Sequence, residues 1–348
     1  MKAIVCKEFG PPSSLVYEDV ELPELKKSQI QIDVHSAGVN FPDTLIIQDK
    51  YQVKPPLPFS PGGEISGVIS ATGESVSDWK VGDEVVAMIG FGGFREQVIT
   101  SPSNIFRKPS SMDFTTASCF TLTYGTSHYA LKNRGQLKEG ENLLVLGAAG
   151  GVGISAVEIG KAMGARVIAG ASSDEKLEVC KEYGADEVIN YGKYDLTNRD
   201  HVKEFRAEIS KATGGKGPDV IYDPVGADFT EPALRSIAWN GRFLVIGWAA
   251  GYIPKIPMNL YLIKGCSAVG VFWGQFTALE PQEHLANMNQ LTGWYEEGKL
   301  KAPVTEVLPL EKGQQALETI LARTDDPMTR ERPLCCPSIL AASPPRLT

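Results

Sequence analysis

The glycines that follow the apolar run NLLVLGA have the spacing of a dinucleotide site. Aligned on the pattern G-x-G-x-x-G, the positions are Ala148, Gly150 and Gly153. Gly150 would let the backbone approach a pyrophosphate, and Gly153 would let helix and strand pack closely. The following helix would point its unpaired N–H groups at the phosphates. Ala148 is a small departure from this pattern, because an alanine methyl group is tolerated where the backbone φ angle stays negative. The alternative is a glycine-rich turn that serves packing alone.

The end of the next strand bears on which dinucleotide is bound. Sites for NAD usually place Asp or Glu there to bind the ribose hydroxyls. In this chain residues 170–173, GASS, are small and uncharged, and Lys176 follows them. Small hydroxyl residues leave room for a 2′-phosphate that Lys176 could reach as a point charge, so we expect NADP(H). Against this, Asp174 and Glu175 add negative charge, and Lys176 as a solvated helix residue is the alternative.

The cysteines and histidines do not form a recognisable reactive cluster. The six cysteines include no C-x-x-C pair, and the four histidines are isolated along the chain. Scattered single thiols fit a reducing compartment better than a disulfide framework. We therefore expect a cytoplasmic protein in which Cys119 is a buried core thiol.

Alternating strand and helix patterns place the glycine motif in an α/β domain. From residue 141 to about residue 270, short apolar strands alternate with helix-length runs, which predicts βαβ crossovers and a parallel sheet covered on both faces. The first third instead shows period-two alternation, with Ile30, Ile32 and Val34 on one face of a strand. The predicted parallel strands are NLLVLGA, ARVIAG, DEVINY, PDVIYDPVG, GRFLVIG and GCSAVGV, and the helices between them are 152–163, 174–182, 201–212 and 229–238.

The composition is that of an ordinary globular protein. Of the 348 residues, 43% are hydrophobic and 22% are charged. The net charge of −8 argues against a nucleic-acid partner, which would favour a basic face. No apolar run reaches membrane-spanning length, and the first residues enter a strand pattern at once, so we expect neither a membrane anchor nor a signal peptide.

Seven segments, taken in order, carry a family resemblance: AGVNFPD, YQVKPPLPFSPGGEISGVI, VGDEVVA, TYGTSHYAL, GAAGGVG, GADEVINY and GRFLVIG. Together they resemble the quinone oxidoreductase branch of the medium-chain dehydrogenase/reductase superfamily, especially quinone oxidoreductase-like proteins related to ζ-crystallin. The resemblance runs from Met1 to about Arg323. One departure is Glu158, where the family signature carries Gln.

The resemblance implies an α/β fold with a Rossmann doubly wound parallel sheet domain and a GroES-like β-rich catalytic domain built from both chain ends. The expected boundaries are 1–120 for the first part of the catalytic domain, 121–265 for the Rossmann domain and 266–323 for the return to the catalytic domain. Family members end with a short returning strand. Here a proline-containing tail, 324–348, replaces it, so we expect the strand to be lost and the tail to be largely disordered.

The resemblance also implies NADPH as the cofactor and suggests which residues contact it. The expected contacts to the 2′-phosphate are Ser172, Lys176 and Tyr191. The expected contacts to the nicotinamide end are Asn40, Thr123, Gly247, Phe272 and Trp273. The remaining expected contacts are Ala149, Gly150, Gly151, Val152, Gly153 and Val225.

Zinc is not expected. Zinc-dependent relatives use Cys and His-Glu at the positions that match Asn40 and Gly63-Glu64, and no four-cysteine lobe is present. A site without Cys or His cannot hold zinc tightly at neutral pH. Without a metal to stabilise an alkoxide, the easier chemistry is hydride addition to an electron-poor acceptor, such as a quinone or an α,β-unsaturated carbonyl.

Tyr51 and Asn40 are the expected catalytic residues. Tyr51 matches the family's active-site tyrosine and would hydrogen-bond the acceptor carbonyl or donate a proton, while Asn40 would hold cofactor or substrate. The alternatives are a loop tyrosine on a proline-rich segment and an asparagine that caps a turn.

These expectations describe an NADPH-dependent quinone reductase that acts on a small-molecule quinone or enone. The alternatives are an enoyl or alkenal reductase, which would act on 2-enoyl thioesters, and a non-catalytic NADPH-binding protein of the crystallin type. A homodimer or homotetramer, joined near the last Rossmann strand, is expected by analogy.

Overall fold

A computed structural model describes residues 1–325 and 338–341. The backbone divides into two compact units. The first unit comprises Met1–Leu122, Pro303–Ala322 and the strand Ser338–Ala341, and the second comprises Thr123–Ala302. Among the described residues, no helix has the length and apolar character needed to cross a membrane.

The first unit begins as a β-rich fold whose strands alternate buried and partly exposed side chains. Ile30, Ile32 and Val34 are buried on one face, as the period-two pattern predicts. The elements are β1 (Lys2–Val5), β2 (Val16–Asp19), β3 (Ile30–Val39), α1 (Phe41–Ile46), β4 (Glu64–Thr72), β5 (Glu84–Met88), β6 (Gln97–Thr100), β7 (Ile105–Arg107) and α2 (Phe114–His128), within which the chain passes into the second unit.

The second unit alternates strands and helices. After a π-helical turn, Tyr129–Arg134, its elements are β8 (Asn142–Val145), α3 (Gly151–Ala162), β9 (Arg166–Ala171), α4 (Asp174–Glu182), β10 (Glu187–Asn190), α5 (Arg199–Ala212), β11 (Val220–Asp223), α6 (Thr230–Ser236), β12 (Arg242–Val245), α7 (Asn259–Lys264), β13 (Ser267–Gly270), α8 (Trp273–Leu279) and α9 (Pro281–Glu296). Every strand predicted from the apolar runs of this region is present.

The six strands form one parallel sheet in the order β10-β9-β8-β11-β12-β13. The order reverses direction at β8, so a crevice opens outside the carboxyl ends of β8 and β11. In doubly wound sheets this switch point is where nucleotides bind. The predicted fold class is confirmed.

One predicted boundary is wrong. Residues 266–302 were expected to return to the catalytic domain, but they belong to the second unit. β13 pairs in parallel with β12 over its whole length, so its backbone hydrogen bonds commit it to the Rossmann sheet. α8 and α9 follow within the same unit, and the chain leaves that unit after Ala302.

The expectation for the tail is also partly wrong. After Ala302 the chain forms β14 (Glu306–Pro309), α10 (Gly313–Asp325) and β15 (Ser338–Ala341). β15 pairs in parallel with β14 and antiparallel with β3, which gives a sheet in the order β14-β15-β3-β4-β5-β7 with β6 also on β3. The returning strand is therefore retained, supplied by SILA after the prolines. The rest of the predicted disordered segment, 326–337 and 342–348, lies outside the described residues.

The strand β15 makes the C-terminal segment part of the first unit's core, because Ile339 and Leu340 are buried. We expect Leu340→Ala to lower the free energy of unfolding by about 2–5 kcal/mol, the usual loss for a buried leucine. Val307→Ala, on the exposed face of neighbouring β14, is the control and should change it by less than about 0.5 kcal/mol. Urea unfolding followed by circular dichroism would measure both, and equal effects would contradict the pairing of β15.

Candidate cofactor and active site

The turn between β8 and α3 is built by glycines at positions that side chains could not occupy. Gly147 has φ +59°, in the left-handed region, and its carbonyl accepts the N–H of Gly150 at 2.9 Å. A Cβ on Gly153 would lie 2.2 Å from the Gly147 carbonyl oxygen, so helix and turn touch through backbone. Gly150 is extended and α3 begins at Gly151, which leaves the first N–H groups of the helix free of intrahelical partners.

Gly147 was missed by the sequence alignment, which placed Ala148 at the first glycine position. Ala148 is outside the left-handed region, and Gly147 makes the sharp turn instead. The signal was present in the sequence as the even spacing of GAAGGVG, in which Gly147, Gly150 and Gly153 are three residues apart. Ala149, Gly151 and Val152, the other predicted contacts here, lie on the same turn and the first helical residues.

The end of β9 brings Ser172, Lys176 and Tyr191 together. Lys176 Nζ donates a hydrogen bond to Ser172 Oγ at 3.0 Å. Tyr191 is buried, and a Cβ on Gly170 would be 3.3 Å from its ring. A Cβ on Gly192 would be 2.0 Å from the Ser172 carbonyl oxygen, so this connection approaches the end of β9 through backbone.

The two acids beside this corner, Asp174 and Glu175, have other hydrogen-bond partners. The pKa of Glu175 is lowered by hydrogen bonds from its own backbone and from Ser173, and after these by the charge of Lys176. Asp174 Oδ1 accepts a hydrogen bond from Asn190 Nδ2 at 2.8 Å. Ser173 caps α4 by accepting the Lys176 backbone N–H at 3.4 Å. The ammonium of Lys176 is thus held by a hydroxyl rather than a carboxylate, at the positive end of a helix. An anion placed here would meet a cation and hydroxyl donors.

Val225 and Gly247 lie at the carboxyl ends of β11 and β12. Asp223 Oδ1 accepts the backbone N–H of Val225 at 2.9 Å, which fixes the turn after β11. A Cβ on Gly147 would be 2.8 Å from Val225 Cγ2, so the two predicted cofactor turns pack against each other. The Gly247 N–H donates to the Asp223 carbonyl at 3.3 Å. Both residues therefore border the crevice at the switch point.

Thr123, Phe272 and Trp273 differ in exposure. Thr123 is buried, and its carbonyl accepts a hydrogen bond from Ser155 Oγ at 3.1 Å. Trp273 is 6% exposed and packs where a side chain on Gly125 would lie, whereas the neighbouring Phe272 is 52% exposed. Of the predicted aromatic pair, the phenyl ring is the one accessible to a ligand, and the indole ring belongs to the packing of the second unit.

Glu158, the departure from the family's Gln, is buried in α3 and accepts several hydrogen bonds. Its donors are the Tyr124 hydroxyl and the backbone N–H groups of Lys301, at 2.8 Å, and Ala302. Burial raises the pKa of Glu158, while these donors oppose that rise. A glutamine would also fit, because its amide could donate to the tyrosine oxygen while its carbonyl accepts the backbone N–H.

In the first unit, Asn40 stands at the start of α1 and is only 6% exposed. Its backbone N–H donates to Asp43 Oδ2 at 2.8 Å, and its side-chain Nδ2 donates to Glu64 Oε1 at 2.8 Å. Asp43 Oδ1 also accepts the Gly62 N–H at 3.2 Å, which joins this loop to the one before β4. The cap that was the alternative role of Asn40 is present, together with a side-chain contact that the sequence did not indicate.

The two carboxyl groups beside Asn40 are buried, and no cationic side chain of the part of the chain that the structure describes pairs with them. Burial raises the pKa of Asp43 to about 7, against the effect of the backbone N–H groups that donate to it. Burial likewise raises the pKa of Glu64 to about 8, and the nearby charge of Asp43 adds to this. Backbone and amide donors therefore hold these groups, as buried carboxyl groups require.

Tyr51 is half-buried and packs against the core of the first unit. Burial raises the pKa of its phenol, and the charge of Asp43 raises it further. The Tyr51 ring is therefore close enough to the Asn40–Asp43 loop for the charge of Asp43 to affect its pKa. The phenol stays protonated at neutral pH. Within the described residues, no group of three or more His, Cys, Asp or Glu side chains is arranged to hold a metal ion.

Comparisons with known proteins agree with this architecture. Residues 26–110 match the family described as alcohol dehydrogenase GroES-like domain, and residues 151–291 match the family described as zinc-binding dehydrogenase. A quinone oxidoreductase-like protein 2 homolog of Nematostella vectensis is 39% identical over 326 residues, which cover 92% of this chain and 86% of that protein.

Two solved structures are similar over nearly the whole chain. The Escherichia coli quinone oxidoreductase complexed with NADPH has a TM-score of 0.85 and 26% identity, covering 98% of this chain and 100% of that one. The CurK enoyl reductase has a TM-score of 0.84 and 25% identity, covering 98% and 99%. The chain belongs to the quinone oxidoreductase branch of the medium-chain dehydrogenase/reductase superfamily.

Proposed function

We propose that the chain is an NADPH-dependent, zinc-independent oxidoreductase that delivers hydride to a quinone or another conjugated carbonyl. The observation that carries this proposal is the corner formed by Ser172, Lys176 and Tyr191 at the end of β9, where a cation is held by a hydroxyl and no acid occupies the ribose position. An acid there would repel a 2′-phosphate, and Lys176 would attract one.

The geometry of the second unit fits a dinucleotide along this crevice. The bare backbone at Gly147 and Gly153 allows a pyrophosphate to approach the start of α3, where N–H groups would bind it. The similar E. coli protein was solved with NADPH, which supports the same cofactor here. When bound, NADPH supplies the hydride, and the protein supplies binding, orientation and hydrogen bonds.

Tyr51 is the proposed donor to the acceptor carbonyl. Its pKa is raised by burial and then by Asp43, so its hydroxyl carries a proton at neutral pH. A hydrogen bond to the carbonyl oxygen would stabilise the negative charge that develops there as hydride arrives at the conjugated system. Asn40 is proposed to orient the cofactor or substrate from the neighbouring loop.

A second candidate reaction is reduction of a 2-enoyl thioester or 2-enal. Its support is the similarity to the CurK enoyl reductase over nearly the whole chain. Both reactions place hydride on an electron-poor conjugated carbon and use the same cofactor end, so they differ in the acceptor pocket alone. A third outcome, NADPH binding without turnover of any acceptor, would indicate a non-catalytic binding protein.

The buried thiols bear on the proposed compartment. Cys6 and Cys180 are buried free thiols, and burial raises the pKa of Cys180 to about 12. Buried neutral thiols resist oxidation and fit a reducing environment. This supports the proposal of a cytoplasmic protein.

The face around β13 supports a homodimer. Among the described residues β13 has only β12 as a partner strand, and Ser267 and Ala268 on it are exposed. Leu262 and Met258, in and before α7, are 82% and 78% exposed. An open strand edge beside apolar side chains is the surface that a second copy of this chain would cover, by pairing its own β13 across a two-fold axis.

Replacing Lys176 should change cofactor preference. We expect Lys176→Met to raise the Kd for NADPH by about 10- to 100-fold, since a hydrogen bond between charged groups is lost, and to leave the Kd for NADH almost unchanged. Lys181→Met, on the same helix but paired with Glu178 at 2.7 Å, is the control and should alter neither. Fluorescence titration of both cofactors would measure this, and equal loss for NADH would contradict a phosphate-binding role.

Replacing Tyr51 should slow turnover without weakening the cofactor. With the best acceptor from a panel of 1,4-quinones, 2-enals and 2-enoyl thioesters, we expect Tyr51→Phe to lower kcat by about tenfold or more. Stopped-flow oxidation of NADPH measures it, and the panel separates the two candidate reactions. Tyr17→Phe, at an exposed tyrosine of the same unit, should leave kcat unchanged. Unchanged turnover of every acceptor by the Tyr51 variant would remove the tyrosine from the mechanism.

A charge in the exposed apolar face should dissociate the dimer. We expect sedimentation velocity to give about twice the 37.6 kDa chain mass for the native protein and one chain mass for Leu262→Asp. Val81→Asp, at an exposed apolar residue of the first unit, should leave the mass unchanged. A native protein of one chain mass would refute the proposed interface, and a mass of four chains would add a second one.

A further inference from the structure

We propose that Glu64 is a positioning residue for the nicotinamide end of the site, holding the Asn40 amide and the Thr121–Leu122 peptide, next to Thr123, in fixed positions. The inference rests on the proposed function, because Asn40 and Thr123 are the residues proposed to contact that end. Glu64 itself is not proposed to touch cofactor or substrate.

The contacts of Glu64 are divided between its two oxygens. Oε1 accepts the Asn40 side-chain N–H at 2.8 Å, and Oε2 accepts the Leu122 backbone N–H at 3.0 Å. Leu122 immediately precedes Thr123. One fully buried side chain thus fixes the rotamer of one proposed site residue and holds the Thr121–Leu122 peptide, one residue before another.

The surroundings reserve space for this side chain. A Cβ on Gly38 would lie 2.8 Å from Glu64 Oε1 and 2.3 Å from the Ser118 carbonyl oxygen. β3 therefore has no side chain where the carboxyl group lies against α2. Any larger residue at 38 would push the carboxyl group away from Asn40.

The chemistry of the two donors explains why an acid is present despite its cost. Both neighbours donate in this arrangement, so the residue between them must accept at both of its terminal atoms, which the two oxygens of a carboxyl group can do. No Lys, Arg or His side chain among the described residues pairs with Glu64. Burial of a carboxyl group without a cation is unfavourable, so its hydrogen bonds must offset that cost. A glutamine would turn its NH2 toward one of the donors, and full pairing would return only if the Asn40 amide turned over, which would move the Asn40 NH2 out of its present place.

A purely structural role would make a different prediction. If Glu64 served packing alone, its replacement would lower stability and leave the folded protein with native cofactor affinity and turnover. A positioning role requires that the folded variant bind NADPH more weakly and turn over more slowly, because the Asn40 amide and the Thr121–Leu122 peptide lose the group that holds them. The two roles are thus separated by measurements on folded protein.

The test compares Glu64→Gln with Glu158→Gln. Both replace a buried carboxyl group with an amide, but glutamine can take the present donors at 158, whereas at 64 it can do so only if the Asn40 amide turns over. We expect Glu64→Gln to raise the Kd for NADPH and lower kcat, each by about tenfold, with Glu158→Gln within about twofold of the native protein on both. Circular dichroism and thermal unfolding would verify that both variants are folded. A folded Glu64→Gln protein with native Kd and kcat would overturn the proposal.

A reversed pair provides the second measurement. In Asn40→Asp with Glu64→Gln, the glutamine amide can donate to the new carboxylate while its carbonyl accepts the Leu122 N–H. A double-mutant cycle compares the thermal stability of the native protein, the two single variants and the double variant. We expect the double variant to lose less stability than the two single variants lose together. Additive effects would show that the side chains at 40 and 64 are not coupled and would also overturn the proposal.

The Kd for NADPH is measured without an acceptor. The proposed reaction and the positioning role of Glu64 can therefore be refuted independently. If the native protein binds NADPH but reduces no acceptor, the proposed reaction fails while the affinity of Glu64→Gln still decides the positioning role. If the native protein does not bind NADPH, both proposals are wrong.

Discussion

The proposed nucleotide site depends on one constraint. The start of α3 lies in direct contact with the turn after β8. Because Gly153 has no side chain, the start of the helix touches the Gly147 carbonyl directly, and Gly147 can turn sharply because it adopts the left-handed region. Val225 closes the other side of the same turn. The unpaired N–H groups of the helix are thereby fixed at the switch point of the sheet, where the strand order already leaves a crevice.

The two units treat charged side chains in opposite ways. In the second unit a cation, Lys176, donates to a hydroxyl, while the neighbouring Asp174 accepts a hydrogen bond from Asn190. In the first unit two acids, Asp43 and Glu64, are buried and held by N–H donors, and no Lys, Arg or His among the described residues pairs with them. An overall acidic chain thus keeps a cation where a phosphate is proposed to bind, and holds polar groups rigidly around Asn40.

The fold class, the six parallel strands and the grouping of Ser172 with Lys176 could be predicted from sequence because they depend on local patterns: apolar runs, helix period and spacing within one βα unit. The features that the sequence analysis missed or misassigned depend on pairing between segments that are distant in sequence. β15 follows several prolines, and only its ladder with β14 and β3 identifies it as a strand. β13 is assigned to the Rossmann sheet by its register with β12. Likewise, no local pattern connects Asn40 to Glu64, since the contact needs β3 and β4 side by side. Gly147 is an exception among the missed residues. The spacing of the three glycines is visible in the sequence, but the alignment placed Ala148 at the first glycine position.

The placement of β15 has a consequence for synthesis on the ribosome. The six strands of the second unit lie between Thr123 and Ala302, so all of them are synthesised before Ser338–Ala341. The first unit begins earlier but cannot seat β14 until Ser338–Ala341 is available to lie between β14 and β3. Until that strand is synthesised, the nascent chain has a complete Rossmann sheet, while the part of β3 that pairs with β15 is an open edge of the kind that chaperones bind.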